Sequence, residues 1–359
     1  MNYAFIAFII AVAAAYMTTP YVIKLANRVG AIDVPKDERR VHKVPTPRLG
    51  GIAIFTGFIA AFAVVAVGFA AEAETGLLLK MAGVLIGALI MVITGYFDDI
   101  KPLSAKRKFL IQIAAALIVM AFGVRIEWLT NPLYLFNGGS PLFSLGMLSY
   151  PLTLIWIVGV TNAINLIDGL DGLAAGVSTI SALTLFAVAL VNAQYEMATL
   201  ALVLAGATMG FLPHNFNPAK IFMGDSGALF LGYMLSVISI MGVLKSAAAL
   251  SILVPVFAMG IPIFDTFFAM LRRILSGRSI AEADKGHLHH RLLEAGLSQK
   301  QAVLTLYSVS AVLGFSAVAL MEATLKVALA VVFAVFLLAS MGVKYLGLMD
   351  VKPNNKMDA

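Results

Sequence analysis

Long apolar runs alternate with short polar, cation-bearing segments along almost the whole chain. A helix that spans a bilayer needs about 20 predominantly apolar residues. Eleven segments approach or reach that length: 4–23, 51–71, 77–97, 109–124, 150–167, 173–191, 197–212, 226–244, 247–271, 302–321 and 327–346. The pattern predicts an all-α polytopic membrane protein of about eleven transmembrane helices, forming one integral membrane domain over residues 1–359. The first run lacks the positive flank of a signal peptide and reads as an uncleaved span. Residues 125–149 form the one long loop on their face, where Asn137-Gly138-Gly139 between short apolar stretches predicts a small surface hairpin.

Charge orients the spans. With the N-terminus outside, the inner loops 24–49, 98–108, 214–225, 272–302 and 344–359 hold 21 of the 25 Lys and Arg residues. The outer set holds only Lys80, Arg125, Lys245 and Lys326. Cytoplasmic loops carry such an excess, so the C-terminus is expected in the cytoplasm. Composition agrees: 61% of the residues are hydrophobic and 12% charged, against about 45–50% and about 25% in soluble domains. That excludes a soluble enzyme, a disordered chain and a secreted disulfide scaffold. The net charge of +6 reads as positive-inside anchoring, not nucleic-acid binding, and the absence of Cys removes thiolate metal sites.

The acids sort by side. Glu72, Glu74, Glu127, Glu196 and Glu322 fall outside, whereas Asp98, Asp99, Asp168, Asp171, Asp225 and Asp265 fall at or near inner span ends. Ionisable groups at membrane depth are costly and mark functional sites. Asp98-Asp99 closes a span at its C-terminal end, where the helix dipole disfavours negative charge. Beside Lys101, Lys106, Arg107 and Lys108, the pair reads as a proton-accepting or metal-binding site flanked by phosphate-binding cations. Asn162, Asn165, Asp168 and Asp171 recur every third residue, so the first three share a helix face. This polar stripe reads as a ligand site or as interhelical glue, and Gly169 and Gly172 permit a tight turn after it.

Asp225 stands where an N-cap would, and also reads as a hard oxygen ligand for Mg²⁺. Asp265 lies between Pro262 and Thr266 in a span expected to bend at Pro255 and Pro262, so local backbone groups freed by the kink are its expected neighbours. His287, His289 and His290 beside Arg291 read as a phosphate-facing rim, as proton-transfer groups or as the polar side of a surface helix. The loop ending Arg39-Arg40-Val41-His42-Lys43-Val44-Pro45-Thr46-Pro47-Arg48-Leu49 before Gly50-Gly51 is a shaped basic loop fit to face an anion. Together these groups suit a reaction between a soluble phosphorylated donor and a lipid-borne phosphate. Two anions must meet, and phosphoryl transfer is mostly positioning and charge neutralisation.

In this order, GYFDD with KFLIQ, NAINLIDGLDGLAAG, IFMGDSGALFLGY, PIFDT and HLHHRL resemble the polyprenyl-phosphate N-acetylhexosamine-1-phosphate transferase superfamily, which includes MraY and WecA/TagO. HLHHRL and PRLGG resemble the WecA/TagO branch, because Leu288 interrupts the three consecutive His of the MraY branch. The resemblance implies transfer of N-acetylglucosamine 1-phosphate from UDP-N-acetylglucosamine to undecaprenyl phosphate, with UMP released. It implies Mg²⁺, with Mn²⁺ as substitute, a bacterial inner-membrane location, an active site facing the cytoplasm and a homodimer. By motif position, Asp225 matches the metal ligand, and Asp98 and Asp99 the catalytic pair. Asn162, Asn165, Asp168, Asp171, Asn215 and Phe222 match the nucleotide-binding region, Phe222 as the uracil-stacking ring. Asp168 and His290 are also expected to take part in catalysis. Lys43, Lys106 and Lys108 match basic positions near the phosphates, and His287, His289, His290 and Arg291 the loop that contacts the donor. The rival readings are transfer of phospho-N-acetylmuramoyl-pentapeptide and a nucleotide-sugar transporter, which would want polar groups near the midplane on several spans.

Overall fold

The computed structural model describes residues 2–35, 44–72, 75–131, 142–242, 253–277 and 286–345. Helices stand where the apolar runs predict them. In chain order they are α1 (Asn2–Val29), α2 (Gly50–Glu72), α3 (Thr75–Ile100), α4 (Ala105–Ala121), α5 (Ser149–Ile167), α6 (Leu173–Val191), α7 (Tyr195–Asn215) and α8 (Gly224–Gly242). After these come α9 (Leu253–Ala258), α10 (Gly260–Leu275), the short α11 (Leu288–Glu294), α12 (Gln299–Met321) and α13 (Leu325–Tyr345). Among the described residues, seven helices are long and apolar enough to cross a membrane, and shorter apolar stretches lie at 50–66 and 326–342.

The long helices other than α10 have little amphipathic character because both their surroundings are apolar: protein on one side, lipid on the other. Phe5, Phe315 and Phe336 are exposed on the outside of the bundle. Inside, small residues let backbones approach, as is usual where lipid removes the hydrophobic drive between helices. Ala7, Ala11 and Ala15 of α1 are fully buried, with Gly57 of α2 and Gly206 and Gly210 of α7 against the same face of α1. The centre is α8, in which every residue except Asp225 is buried. It packs against α2, α3, α5 and α6.

Two irregular features place polar groups. The segment predicted to bend does so: α9 ends at Ala258 and α10 begins at Gly260, across Met259. α10 turns Phe267, Met270, Ile274 and Leu275 outward and buries Asp265, Ala269, Arg272 and Arg273. At the end of the bundle where α1 stops, β1 (Ile32–Asp33) pairs antiparallel with β2 (Thr46–Pro47). In the 125–149 loop, where a hairpin is expected, β3 (Trp128–Thr130) pairs antiparallel with β4 (Leu142–Ser144). The Asn137-Gly138-Gly139 stretch lies outside the described residues, as does Lys43.

Candidate active site

Four helix ends meet. The C-termini of α3 and α5 bring Asp98, Asp99 and Asp168, and the N-termini of α4 and α8 bring Lys108 and Asp225. Glycine makes the convergence possible: a Cβ at Gly51 or Gly95 would collide with the backbone of α8 at Asp225–Gly227. The basic loop is zipped to the same place, with Phe222 N–H donating to Pro47 O and the N–H groups of Gly50 and Gly51 donating to Phe222 O and Met223 O.

The adjacent aspartates part company. Asp99, with a fully buried side chain, accepts from the backbone N–H of Asp225 at 2.9 Å and of Ser226 at 3.1 Å. It therefore ties α3 to the start of α8, and Arg48 Nη2 lies 3.2 Å from its Oδ1. Asp98 faces a different way, as consecutive residues on a helix must. It accepts from Leu103 N–H at 2.7 Å and shares Lys108 with Asp225, at 3.3 Å and 2.9 Å respectively. Asp225 also accepts from Asn165 Nδ2 at 3.2 Å and lies 3.8 Å from Arg48.

Asp168 caps α5 beside these groups, and its carboxylate has no hydrogen-bond partner among the described residues. Burial, and then the charge of Asp225, pushes its pKa up to about 8. Four carboxylates thus gather around two cations, Lys108 and Arg48. The surplus negative charge and the hard oxygen donors fit a divalent cation. Among the described residues no group of three or more His, Asp or Glu forms a complete metal cage. Mg²⁺ needs none, because it takes one or two carboxylates and completes its shell with water and substrate phosphates.

The remaining expected residues divide. The stripe on α5 splits: Asn165 reaches Asp225, whereas Asn162 exchanges hydrogen bonds with Gln112 of α4, one of them at 2.6 Å, as interhelical glue would. Asp171 accepts from Asn217 Nδ2 at 2.9 Å and Ala219 N–H at 3.0 Å, and Asn215 donates to Ile221 O at 2.9 Å. These two fix the 215–222 segment that carries Phe222. Gly172 adopts the predicted tight turn with φ +78°, and its carbonyl accepts from Tyr307 of α12. Lys106 is exposed on the first turn of α4.

The His-bearing segment docks on the turn after Asp168. A Cβ at Gly169 would lie 2.5 Å from His289 Nε2, so the imidazole occupies the room glycine leaves. His289 packs near-parallel to His287 at 5.9 Å and lies 4.2 Å from the ring of His290. Burial, and then His290, holds its pKa down to about 3. Arg291 lies 3.6 Å from Glu294. Asp265 does not sit among kink-freed groups of its own helix: its carboxylate bonds to His287 and Leu288. In the sequence Arg48 is one charge in a basic loop, Gln112 only the end of the KFLIQ motif, and Asn217 and Tyr307 carry no signal. Only PRLGG beside a glycine pair hinted at Arg48.

The same residues carry a family signature. The model of glycosyl transferase family 4 matches residues 81–243, which contain Asp98, Asp99, Asp168 and Asp225. The probable undecaprenyl-phosphate N-acetylglucosaminyl 1-phosphate transferase of Bacillus subtilis is 42% identical over 97% of this chain and 93% of its own length. The decaprenyl-phosphate N-acetylglucosaminephosphotransferase of Mycolicibacterium smegmatis is 40% identical over 84% of this chain and 78% of its own. The undecaprenyl-phosphate alpha-N-acetylglucosaminyl 1-phosphate transferase of Escherichia coli K12 is 30% identical over 81% and 76%. The chain belongs to glycosyl transferase family 4, within the polyprenyl-phosphate N-acetylhexosamine-1-phosphate transferase superfamily and its WecA/TagO branch.

Proposed function

We propose that the protein transfers N-acetylglucosamine 1-phosphate from UDP-N-acetylglucosamine to undecaprenyl phosphate, giving the diphosphate-linked glycolipid and UMP. The observation that carries this is the gathering of Asp98, Asp168 and Asp225 with Lys108 and Arg48 at one end of an apolar bundle. The lipid relatives named above support the substrates. The whole of residues 1–359 acts as one membrane domain of eleven spans, with its N-terminus outside. The carboxylates lie at the same end as the Lys- and Arg-rich loops, which supports a site at the cytoplasmic face of a bacterial cell membrane.

The chemistry is the in-line attack of a lipid phosphate oxygen on the β-phosphorus of the sugar nucleotide, with UMP leaving. Asp225, with Asp168 beside it, would hold Mg²⁺. When bound, the ion neutralises diphosphate charge and polarises phosphoryl oxygens. Lys108 and Arg48 offset the repulsion between the two anions, which is several-fold stronger in a low-dielectric site than in water. Of the adjacent pair, Asp98 takes the proton from the acceptor phosphate, since both oxygens of the fully buried Asp99 are bound by the backbone of α8, whereas Asp98 Oδ2 meets the partly exposed Lys108 side chain, at 3.3 Å. Phe222, on the segment pinned by Asp171 and Asn215, stacks on the uracil.

The test is UMP release from a panel of UDP-sugars with undecaprenyl phosphate, with and without EDTA. The expected result is release from UDP-N-acetylglucosamine, abolished by EDTA and by Asp225→Asn in a folded protein. Uptake of the nucleotide sugar into sealed proteoliposomes without UMP would replace this reading with a transporter.

A further inference from the structure

Resting on the reading above, we propose that Asp265 is a positioning residue for the transfer reaction, acting through His287 by holding the proton of its ring on Nδ1. The two residues are 22 apart in sequence and on different elements, so the contact is a tertiary one. Asp265 Oδ2 lies 2.9 Å from His287 Nδ1, and Asp265 Oδ1 accepts from Leu288 N–H at 2.7 Å. Both side chains are almost fully buried, at 3% and 7% exposure. A carboxylate in such a place is stable only when paired and hydrogen-bonded. It accepts and does not donate, so Nδ1 is the donor. The orientation is passed on. His287 lies parallel to His289, whose Nε2 fills the space over Gly169, the residue next to Asp168. A carboxylate on α10 thereby orients the first of two parallel imidazoles, the second of which ends against Gly169, next to Asp168.

Asp265→Asn is the informative change. Asn keeps one oxygen for Leu288 N–H, but its NH₂ group donates to Nδ1 and drives the ring proton to Nε2. A partner that only ties helix α11 in place would tolerate this; a positioning residue would not, because a site histidine in the wrong tautomer is inactive in an intact frame. Histidine-selective ¹⁵N NMR on the full chain in detergent reads the tautomer without turnover, with His287→Gln assigning the signal. The expected result is protonated Nδ1 in the wild type and protonated Nε2 in Asp265→Asn. In the UMP assay, Asp265→Asn should lower kcat about 10–100-fold, by analogy with carboxylates that orient metal-bound histidines. KM should stay within about threefold, and the double variant with His287→Gln should be no slower than His287→Gln alone. An unchanged tautomer, wild-type turnover, or effects of the two substitutions that multiply would overturn the proposal. If the wild type releases no UMP, the proposed function fails, while the NMR result still decides whether Asp265 governs His287.

Discussion

Replacing Asp99 by Asn tests whether the adjacent aspartates really have separate tasks. Asp99 accepts two backbone N–H bonds, from Asp225 and Ser226, in a fully buried position. Hydrogen bonds to a charged acceptor contribute about 1.5–3 kcal/mol each, and a buried donor left without a partner costs about 1–3 kcal/mol. Asn offers one oxygen. Its NH₂ must face one of the two N–H groups, so one bond is lost outright, and Arg48 loses its nearest charge. The expected destabilisation is about 3 kcal/mol. Asp98→Asn differs, because its remaining oxygen still serves Leu103 N–H and Lys108 retains Asp225. It should cost about 1 kcal/mol or less. Thermal unfolding of both variants in detergent, beside UMP release, separates the cases. At about 2–4 °C per kcal/mol for a large domain, Asp99→Asn should melt about 6–12 °C below the wild type. Asp98→Asn should melt near the wild type and yet lose turnover. If Asp99→Asn melts within about 2 °C of the wild type, or Asp98→Asn is the less stable of the two, the division of tasks is wrong.

Other consequences follow from single contacts. Phe222→Ala should raise KM for the nucleotide sugar about 10-fold with little change in kcat, since stacking on a base is worth about 1–3 kcal/mol; an unchanged KM removes the stacking role. A Cβ at Gly232 would lie 2.6 Å from Thr161 Cα, and ordinary contact begins near 3.4 Å, so Gly232→Ala must part α8 from α5 by about 0.8 Å. Overpacking of this kind costs about 1–3 kcal/mol. Gly159→Ala, with nothing near its Cβ, should melt like the wild type, and equal melting of the two variants would refute the close contact. His289 is held neutral, its pKa lowered to about 3. Between that value and its ordinary 6.5 the unfolded chain binds a proton the native one does not. Stability should therefore fall as pH drops below about 6.5, by about 1.4 kcal/mol per pH unit from this group. His289→Gln should flatten that part of the pH–stability curve, and an unchanged slope would remove His289 as its source.

What the sequence determined by itself was everything that composition and order impose. Uninterrupted apolar runs must be helices in lipid, because no water is there to satisfy backbone groups, and the runs fall where helices stand. The helix break at Met259, between Pro255 and Pro262, and the turn at Gly172 were legible for the same reason: local backbone chemistry decides them. The motifs showed which residues belong to the site, and the positions of Asp98, Asp99, Asp168 and Asp225 at helix ends were readable from the span boundaries. Tertiary structure decided which carboxylate does what. Asp98 and Asp99 are neighbours in the chain, but their tasks depend on which helix lies against each side of α3. Asn162 and Asn165 share a face, but α4 claims one and α8 the other. Asp265 looked like a local residue of a kinked helix because its partner arrives from another segment. Side-chain roles in a buried polar cluster are set by who comes within about 3 Å across helices, and one-dimensional spacing carries no such information.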